Sequence, residues 1–297
     1  MDLWSKKLLM NKAGGLFVAI ATGSNNAAYS KDGVNWSSST LPTSTTWSAI
    51  TYGNGKFVAV SSDTNKSACS KDCKTWEEGT LPSGKWAGVA YGSGKFVAVT
   101  TGKNKAAYSY DGITWTDVTL PHSADWKSIT YGNGKFVAVT YGWNIAIRSE
   151  DGITWYSAEL PTSAYWKCVN YCDGKFIAVA YNLNVAAYSV DGITWTKIAM
   201  GTSSVWNGVA YGNGKFVIVS NLEKEIAYSE DIVNWTIANN LPTAQWWQDV
   251  IFANKKFVAI SGSSSNSNIG AISEDGVNWV ATKMPISAKW IDITYGG

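Results

Sequence analysis

The chain has 297 residues, of which only 15% are charged, and its formal net charge is +2. This balance excludes the strongly basic surface that is typical of nucleic-acid-binding proteins, so we expect no nucleic-acid partner. No apolar run reaches the ~18 residues that a membrane span needs, so we expect no membrane insertion. Aromatic residues make up 13% of the chain, with 17 tryptophans, which is ample material for an apolar core.

The first segment of the chain differs from everything after it. Residues 1–12, which include Trp4, match no later part of the sequence, and we expect them to cap the outside of the fold. Lys6 and Lys7 precede a short apolar stretch, but polar residues and glycines from Asn11 onward interrupt it. A signal peptide needs an unbroken apolar stretch here, so we expect none. We expect synthesis in a reducing cytoplasm and a site of action there, on a virion or on a cell surface.

From residue 13 onward one unit of about forty residues recurs seven times. Three markers define it independently, and each occurs once in every copy: Phe17, Phe57, Phe96, Phe136, Phe176, Phe216 and Phe257; Asp32, Asp72, Asp111, Asp151, Asp191, Asp231 and Asp275; and Trp47, Trp86, Trp126, Trp166, Trp206, Trp247 and Trp290. A repeat of this length built from short strands is typical of a β-propeller, whereas a parallel β-helix has shorter rungs.

Each unit divides into four short predicted strands, as the copy that begins at Trp126 illustrates. Residues 126–131 form the first strand, and Asn133-Gly134 supplies the two positive φ angles of a tight hairpin. Residues 135–140, 146–149 and 154–160 form the other three strands, the last after an Asp-Gly turn. The pattern predicts an all-β fold, a seven-bladed propeller with four antiparallel strands per blade. The predicted blades are 290–297 with 13–42, then 43–82, 83–121, 122–161, 162–201, 202–242 and 243–289.

The two ends of the repeat region complement each other. Residues 290–297 form a first strand with no second strand after it, and the strand at Phe17 is a second strand without a first. We therefore expect one blade shared between the N- and C-termini, which closes the ring, removes an open edge and makes residues 13–297 one domain.

Four cysteines occur as two C-x-x-x-C pairs, Cys69 with Cys73 and Cys168 with Cys172. This spacing falls only loosely within the range for zinc ligands, and the pairs lie in separate blades. We expect four free thiols, no metal site and no cofactor.

The turn sequence Ser-x-Asp-Gly-x-x-Trp, as in Ser109 to Trp115, resembles the Asp-box or BNR repeat of sialidases and related propellers. The resemblance implies that each aspartate in the list above accepts hydrogen bonds from N–H groups of its own turn, and that the motif is structural. Two copies depart from it, with Cys73 and Ile232 in place of the glycine, and we expect their turns to be distorted.

The chain lacks the residues of a sialidase active site. That chemistry binds the substrate carboxylate with three arginines, and this sequence contains one arginine, Arg148, and one histidine, His122. Lysine does not replace the bidentate guanidinium. No carboxylate pair stands out, and no acids outside the repeat positions are expected to converge on the axis. We therefore expect no enzymatic activity and no catalytic residues.

The candidate ligand face carries the loops between second and third strands and the connections between blades. A tryptophan beside hydroxyl and amide groups is typical of sugar recognition. Bacteriophage tail and fibre repeats and seven-bladed lectins resemble this arrangement. We predict a non-enzymatic, multivalent carbohydrate-binding protein whose partner is a cell-surface glycan. The candidate residues are the seven repeated tryptophans named above, Asn25, Asn65, Asn104, Asn144, Asn184 and Asn268, and the additional aromatics Trp143 and Trp246.

Two alternatives remain open. The repeated tryptophans could wedge between blades, and the asparagines could simply fix their loops. The protein could then be a structural or protein-interaction scaffold, such as a virion decoration or an assembly hub, that is part of a larger particle.

Overall fold

The computed structural model describes residues 14–221, 224–262 and 266–297. The predicted N-terminal cap, residues 1–12, lies outside the described residues. The described chain is built of β-strands, and within it no helix has the length and apolar character of a membrane span. The first strands in chain order are β1 (Leu16–Ala21), β2 (Ser24–Ser30), β3 (Trp36–Thr45), β4 (Trp47–Gly53), β5 (Lys56–Ser61), β6 (Lys66–Ser70), β7 (Glu77–Thr80), β8 (Trp86–Gly92), β9 (Lys95–Thr100), β10 (Lys103–Ser109), β11 (Thr116–Ala124) and β12 (Trp126–Gly132).

The remaining strands include two that are unusually long. They are β13 (Lys135–Ser149), β14 (Tyr156–Cys172), β15 (Lys175–Leu183), β16 (Ala186–Ser189), β17 (Thr196–Ile198), β18 (Ser204–Gly212), β19 (Lys215–Ser220), β20 (Ile226–Ser229), β21 (Thr236–Ala238), β22 (Trp247–Ala253), β23 (Lys256–Ser261), β24 (Ser267–Ser273), β25 (Val280–Ala288) and β26 (Trp290–Gly296).

The strands form antiparallel sheets, and the fold is an all-β propeller. Four of the sheets have four strands each, in the orders β26-β1-β2-β3, β4-β5-β6-β7, β8-β9-β10-β11 and β22-β23-β24-β25. The strands β12 to β21 belong to one ten-stranded sheet, because β14 runs without a break from one predicted blade into the next and β15 pairs with β18. No described sheet closes on itself.

One sheet is built from both ends of the chain. The C-terminal strand β26 pairs antiparallel with β1, so that Leu16 lies opposite Gly296 and Phe17 opposite Tyr295. The rings of Phe17 and Tyr295 pack with their centroids 4.8 Å apart.

The first strands of the seven repeats lie side by side around a central cavity. Strand β4 contacts β8, β8 contacts β12, β12 contacts β14, and β14 contacts β18. Strand β18 contacts β22, β22 contacts β26, and β26 contacts β4. The residues that differ among the repeats on these strands therefore face one shared space.

The hairpins after the first strands use the turn residues that the sequence predicts. Asn133 and Gly134 have φ angles of 48° and 74°. One copy places Lys255 at the glycine position, with a φ of 63°. A lysine in this left-handed conformation is strained, since its Cβ crowds the backbone.

The Asp turns hold their shape through short-range hydrogen bonds. The Asp111 carboxylate accepts the N–H groups of Ile113 and Thr114, both at 2.8 Å. In the departing copies Cys73 and Ile232 adopt positive φ angles of 60° and 69°. The two residues after each of them still donate their N–H groups to the turn aspartate, so the expected distortion is wrong. The turns keep their shape, and the cost is backbone strain at Cys73 and Ile232, which adopt a conformation that favours glycine. The aspartates have the structural role that the resemblance implies, whereas membership of the Asp-box family stays a prediction.

Apolar clusters fill the spaces between neighbouring sheets. Trp126, for example, packs with Val97 and Val99 of the preceding sheet and with Phe136 of its own. Burying side chains of this size supplies the main favourable term in folding. The walls of the central cavity are thus fixed by packing behind them.

Candidate functional site

The seven repeated tryptophans are not at the surface. Each has 0% of its side chain exposed. The indole N–H of Trp47 donates to the carbonyl oxygen of Thr43 at 3.1 Å, and that of Trp86 donates to Pro82 at 3.1 Å. These rings lie under the connections between repeats and cannot stack on a ligand. Their position agrees with the alternative that the tryptophans wedge between blades.

Four of the six predicted asparagines lie within strands and do not end loops: Asn25 in β2, Asn104 in β10, Asn144 in β13 and Asn268 in β24. Asn65, Asn104, Asn184 and Asn268 are exposed, and Asn25 is half-buried. Asn144 donates its side-chain amide to Glu159 at 2.7 Å, which fixes its own hairpin. Each of the six asparagines belongs to a different repeat, so they do not form one shared site.

The residues that vary among the repeats line a central cavity of about 800 Å³. We call this space the axial cavity. The position directly after the buried tryptophan varies most clearly among the repeats, and its side chains line the cavity or its mouth. The residues at this position are Ser48, Ala87, Lys127, Lys167, Asn207, Gln248 and Ile291. The strand register shifts just after the tryptophan, as between Trp126 and Ser128, so consecutive residues can both reach this space.

Several polar side chains on the wall link neighbouring repeats. The hydroxyl of Ser48 donates to the carbonyl oxygen of Trp86 at 2.6 Å. The amides of Asn170 and Asn207 donate to the carbonyl oxygens of Val209 at 3.0 Å and Trp247 at 2.8 Å. These bonds satisfy backbone groups at the inner edges of the sheets and hold the repeats together.

Two carboxyl groups meet on the same wall. Asp249 and Asp292 lie two residues after their tryptophans, and their side chains hydrogen-bond to each other. Asp292 accepts the N–H groups of Ile50 at 2.7 Å and of Ile293 at 2.9 Å, and Asp249 also accepts the N–H of Ile293, at 3.4 Å. Burial raises the pKa of both groups, and that of Asp292 is raised further by the negative charge of Asp249. The pair therefore holds a proton to a higher pH than an ordinary exposed carboxyl group does.

Two ammonium groups face the cavity from neighbouring strands. Lys127 is on β12 and Lys167 is on β14, and both are half-buried. Burial lowers the pKa of Lys127, and the charge of Asp125 partly opposes this shift. The pKa of Lys167 falls to about 8, first because of burial and then because of the positive charge of Lys127. Neither lysine forms an ion pair or a hydrogen bond with a residue in the described ranges.

A cluster of aromatic side chains lies along one side of the cavity mouth. Tyr141 and Tyr165 pack with ring centroids 4.7 Å apart, and Tyr141 and Tyr181 with centroids 6.3 Å apart. Trp246 completes this aromatic rim and is 47% exposed, while Tyr165 is 49% exposed. Tyr141, Tyr181 and Trp246 line a pocket of about 410 Å³ that also contains both lysines.

Backbone pairing holds the aromatic rim in place. Tyr165 lies opposite Tyr141 on one side and opposite Tyr181 on the other, and Tyr181 lies opposite Val205. Trp143, in the hairpin just beyond Tyr141, is 57% exposed. The predicted extra aromatics Trp143 and Trp246 are thus both on the accessible face, and rigid strands carry the rings between them.

The sequence reasoning missed the acids of the axial cavity. It expected no acids outside the repeat positions to converge on the axis, whereas Asp249 and Asp292 do so. The signal was present, because the equivalent positions in the other repeats hold small or weakly polar residues: Ala49, Gly88, Ser128, Cys168 and Gly208. A comparison of the repeats at this one position would have found the pair.

No family model matches the sequence, and no curated protein matches it. Solved structures do resemble the fold. A streptogramin B lyase structure is 14% identical, with a TM-score of 0.75, and the match covers 96% of this chain and 93% of that one. YCF48 bound to D1 peptide is 18% identical, with a TM-score of 0.64 and 82% of each chain covered. A nidogen/laminin complex is 10% identical, with a TM-score of 0.60, and covers 96% of this chain and 99% of that one.

The predicted carbohydrate-binding function is wrong. It depended on exposed tryptophans repeated around the ring, and all seven are enclosed. The similar structures are of a lyase and of propellers seen with a peptide or a protein, and at this identity they show the propeller fold alone.

Proposed function

We propose that this chain is a closed, seven-bladed, non-enzymatic propeller that binds an extended segment of a partner protein at the mouth of its axial cavity. The contacts from each first strand to the next, including β26 with β4, support ring closure. The one-sided aromatic rim is the observation that carries the binding function. Exposed tryptophan and tyrosine rings on a rigid frame are the side chains that dominate protein interfaces.

The carboxyl pair supports a non-enzymatic role. Oxygens of Asp249 and Asp292 accept backbone N–H groups of Ile50 and Ile293, which lie on β4 and β26. Both carboxyl groups are thereby occupied in joining three consecutive repeats. A catalytic carboxyl must instead be free to reach a substrate atom.

Two of the similar structures add support from fold analogy. YCF48 is seen with a peptide, and another chain of similar fold is seen in a nidogen/laminin complex. The same fold therefore presents a protein-binding face in other chains, although the analogy does not identify the partner here.

Selection from a random peptide display library tests the proposal. The wild-type protein should enrich peptides that bind the Trp143→Ala, Trp246→Ala double variant at least about thirtyfold more weakly, because exposed aromatic anchors carry most of the energy of such interfaces. The matched control is Tyr110→Ala with Val190→Ala, which removes two exposed side chains from the Asp-turn face. Peptides that need Tyr110 and Val190, or a selection that enriches none, would contradict the proposal.

A further inference from the structure

Two lysines lie together in the axial cavity next to the aromatic rim. Lys127 and Lys167 project from the adjacent strands β12 and β14, and each comes directly after a fully buried tryptophan. Packing therefore fixes the backbone that carries them. Holding two like charges together in a half-buried space is unfavourable unless a ligand compensates them.

In the described part of the chain, no carboxylate forms an ion pair with either lysine, although the charge of Asp125 acts on Lys127. Asp125 accepts a hydrogen bond from the hydroxyl of Thr101 at 2.8 Å. The Asp249 and Asp292 carboxyls bond to each other and to backbone N–H groups, and β18 separates the strand of Lys167 from that of Asp249. Burial and the charge of Lys127 lower the pKa of Lys167 to about 8, and the charge of Asp249 offsets this shift only in part.

We infer that the two lysines form a carboxylate-binding site and that the partner segment at the mouth is an acidic peptide. This inference rests on the proposed function and specifies its ligand. The pocket of about 410 Å³ is lined by both lysines and by one carboxylate, Asp125, together with Tyr141, Tyr181 and Trp246, so its lysines outnumber its carboxylates two to one. An aspartate or glutamate side chain can enter it while neighbouring residues of the peptide lie on the aromatic rim. The attraction is between charges that are shielded from bulk water, where ion pairing is stronger than at an open surface.

Binding of two defined peptides tests the inference. Both are acetylated and amidated heptapeptides with a central tyrosine, and they carry either six glutamates or six glutamines. Titration calorimetry at low salt should show that the wild-type protein binds the glutamate peptide at least about tenfold more tightly. This preference should fall as salt is added, because ions screen the attraction.

The Lys127→Gln, Lys167→Gln double variant should lose the preference. It removes mutual repulsion, so it is expected to fold at least as well as the wild type. Lys135→Gln with Lys256→Gln makes the same change in net charge on the Asp-turn face and should keep the preference. The inference would be overturned if the Lys127→Gln, Lys167→Gln variant kept the preference. It would also be overturned if the wild type bound both peptides equally.

The inference and the proposed function can fail separately. A Trp143→Ala, Trp246→Ala variant should weaken both peptides together, whereas the lysine variant should weaken only the acidic one. Selected peptides that require the rim but show no acidic bias would overturn the inference and leave the proposed function standing. No measurable binding of the glutamate peptide to the wild type would also overturn the inference.

Discussion

Substituting Asn for Asp292 should reduce a pH dependence of stability that the carboxyl pair causes. In the folded protein, burial raises the pKa of Asp249 from 3.8 to about 6, and the pKa of Asp292 is raised as well. A carboxyl group with a raised pKa in the folded state contributes stability that is fully present below its unfolded pKa. That contribution is lost as the pH rises through the folded value. The wild type should therefore become less stable between pH 5 and pH 7.5.

The size of the loss follows from the pKa of Asp249. One unit of pKa corresponds to 1.36 kcal/mol, so a rise from 3.8 to about 6 amounts to about 3 kcal/mol in all, of which about 1.4 kcal/mol is lost above pH 5. The proton on Asp292 adds to this loss at higher pH. The lowered pKa of Lys167, about 8, makes stability depend on pH only above that value, and the turn aspartates have lowered pKa values and are ionised throughout. The side-chain amide that Asp292→Asn introduces would keep a carbonyl oxygen for the Ile50 N–H and could donate to Asp249.

Guanidinium unfolding followed by tryptophan fluorescence at pH 5 and pH 7.5 measures the effect. We expect Asp292→Asn to be within about 1 kcal/mol of the wild type at pH 5 and more stable than it at pH 7.5. The control is Asp63→Asn. Asp63 accepts hydrogen bonds from Thr46 and Ser61 and has a lowered pKa, so this change should destabilise equally at both pH values. A wild-type unfolding free energy that is flat across this range would refute the reasoning.

Three further substitutions test the packing and the turns. Gly132→Ala should destabilise the fold by about 1–3 kcal/mol, because a Cβ there would lie 2.0 Å from Cγ of Tyr171; an unchanged midpoint of thermal unfolding would show that the contact between these repeats is loose. Lys255→Gly should stabilise by about 0.5–1 kcal/mol, because it relieves a left-handed lysine at 63°, and chemical unfolding should detect the gain. A loss would mean that the Lys255 side chain makes a compensating contact. Trp126→Ala should cost about 3–5 kcal/mol in the same assay, and a cost below about 1 kcal/mol would contradict its burial between sheets.

The scaffold could be predicted because the sequence contains seven copies of the same repeat. Phe, Asp and Trp recur at fixed positions, and the four antiparallel strands and the turn glycines follow from general rules of strand pairing and positive φ. Pairing of Trp290–Gly296 with Leu16–Ala21 followed from the missing second and first strands at the two ends.

The candidate site was harder to predict, because it consists of departures from the repeat. Packing between sheets decides whether a tryptophan at the start of an inner strand is buried or exposed. The sequence pattern alone left both orientations open. Lys127, Lys167, Asp249 and Asp292 come from four different repeats, and only the ring geometry brings them into one cavity. The extra aromatics Trp143 and Trp246 were found because they had no counterpart in the other repeats.

Hydrogen–deuterium exchange with and without a selected peptide tests the central claim most directly. Binding at the mouth should slow the exchange of amides in residues 141–145, 163–168 and 245–249, which carry the aromatic rim and one of the lysines. The Asp turns, such as residues 111–114 and 191–194, should exchange as in the free protein. Protection confined to the Asp turns or to the outer strands, with the mouth unchanged, would contradict the account.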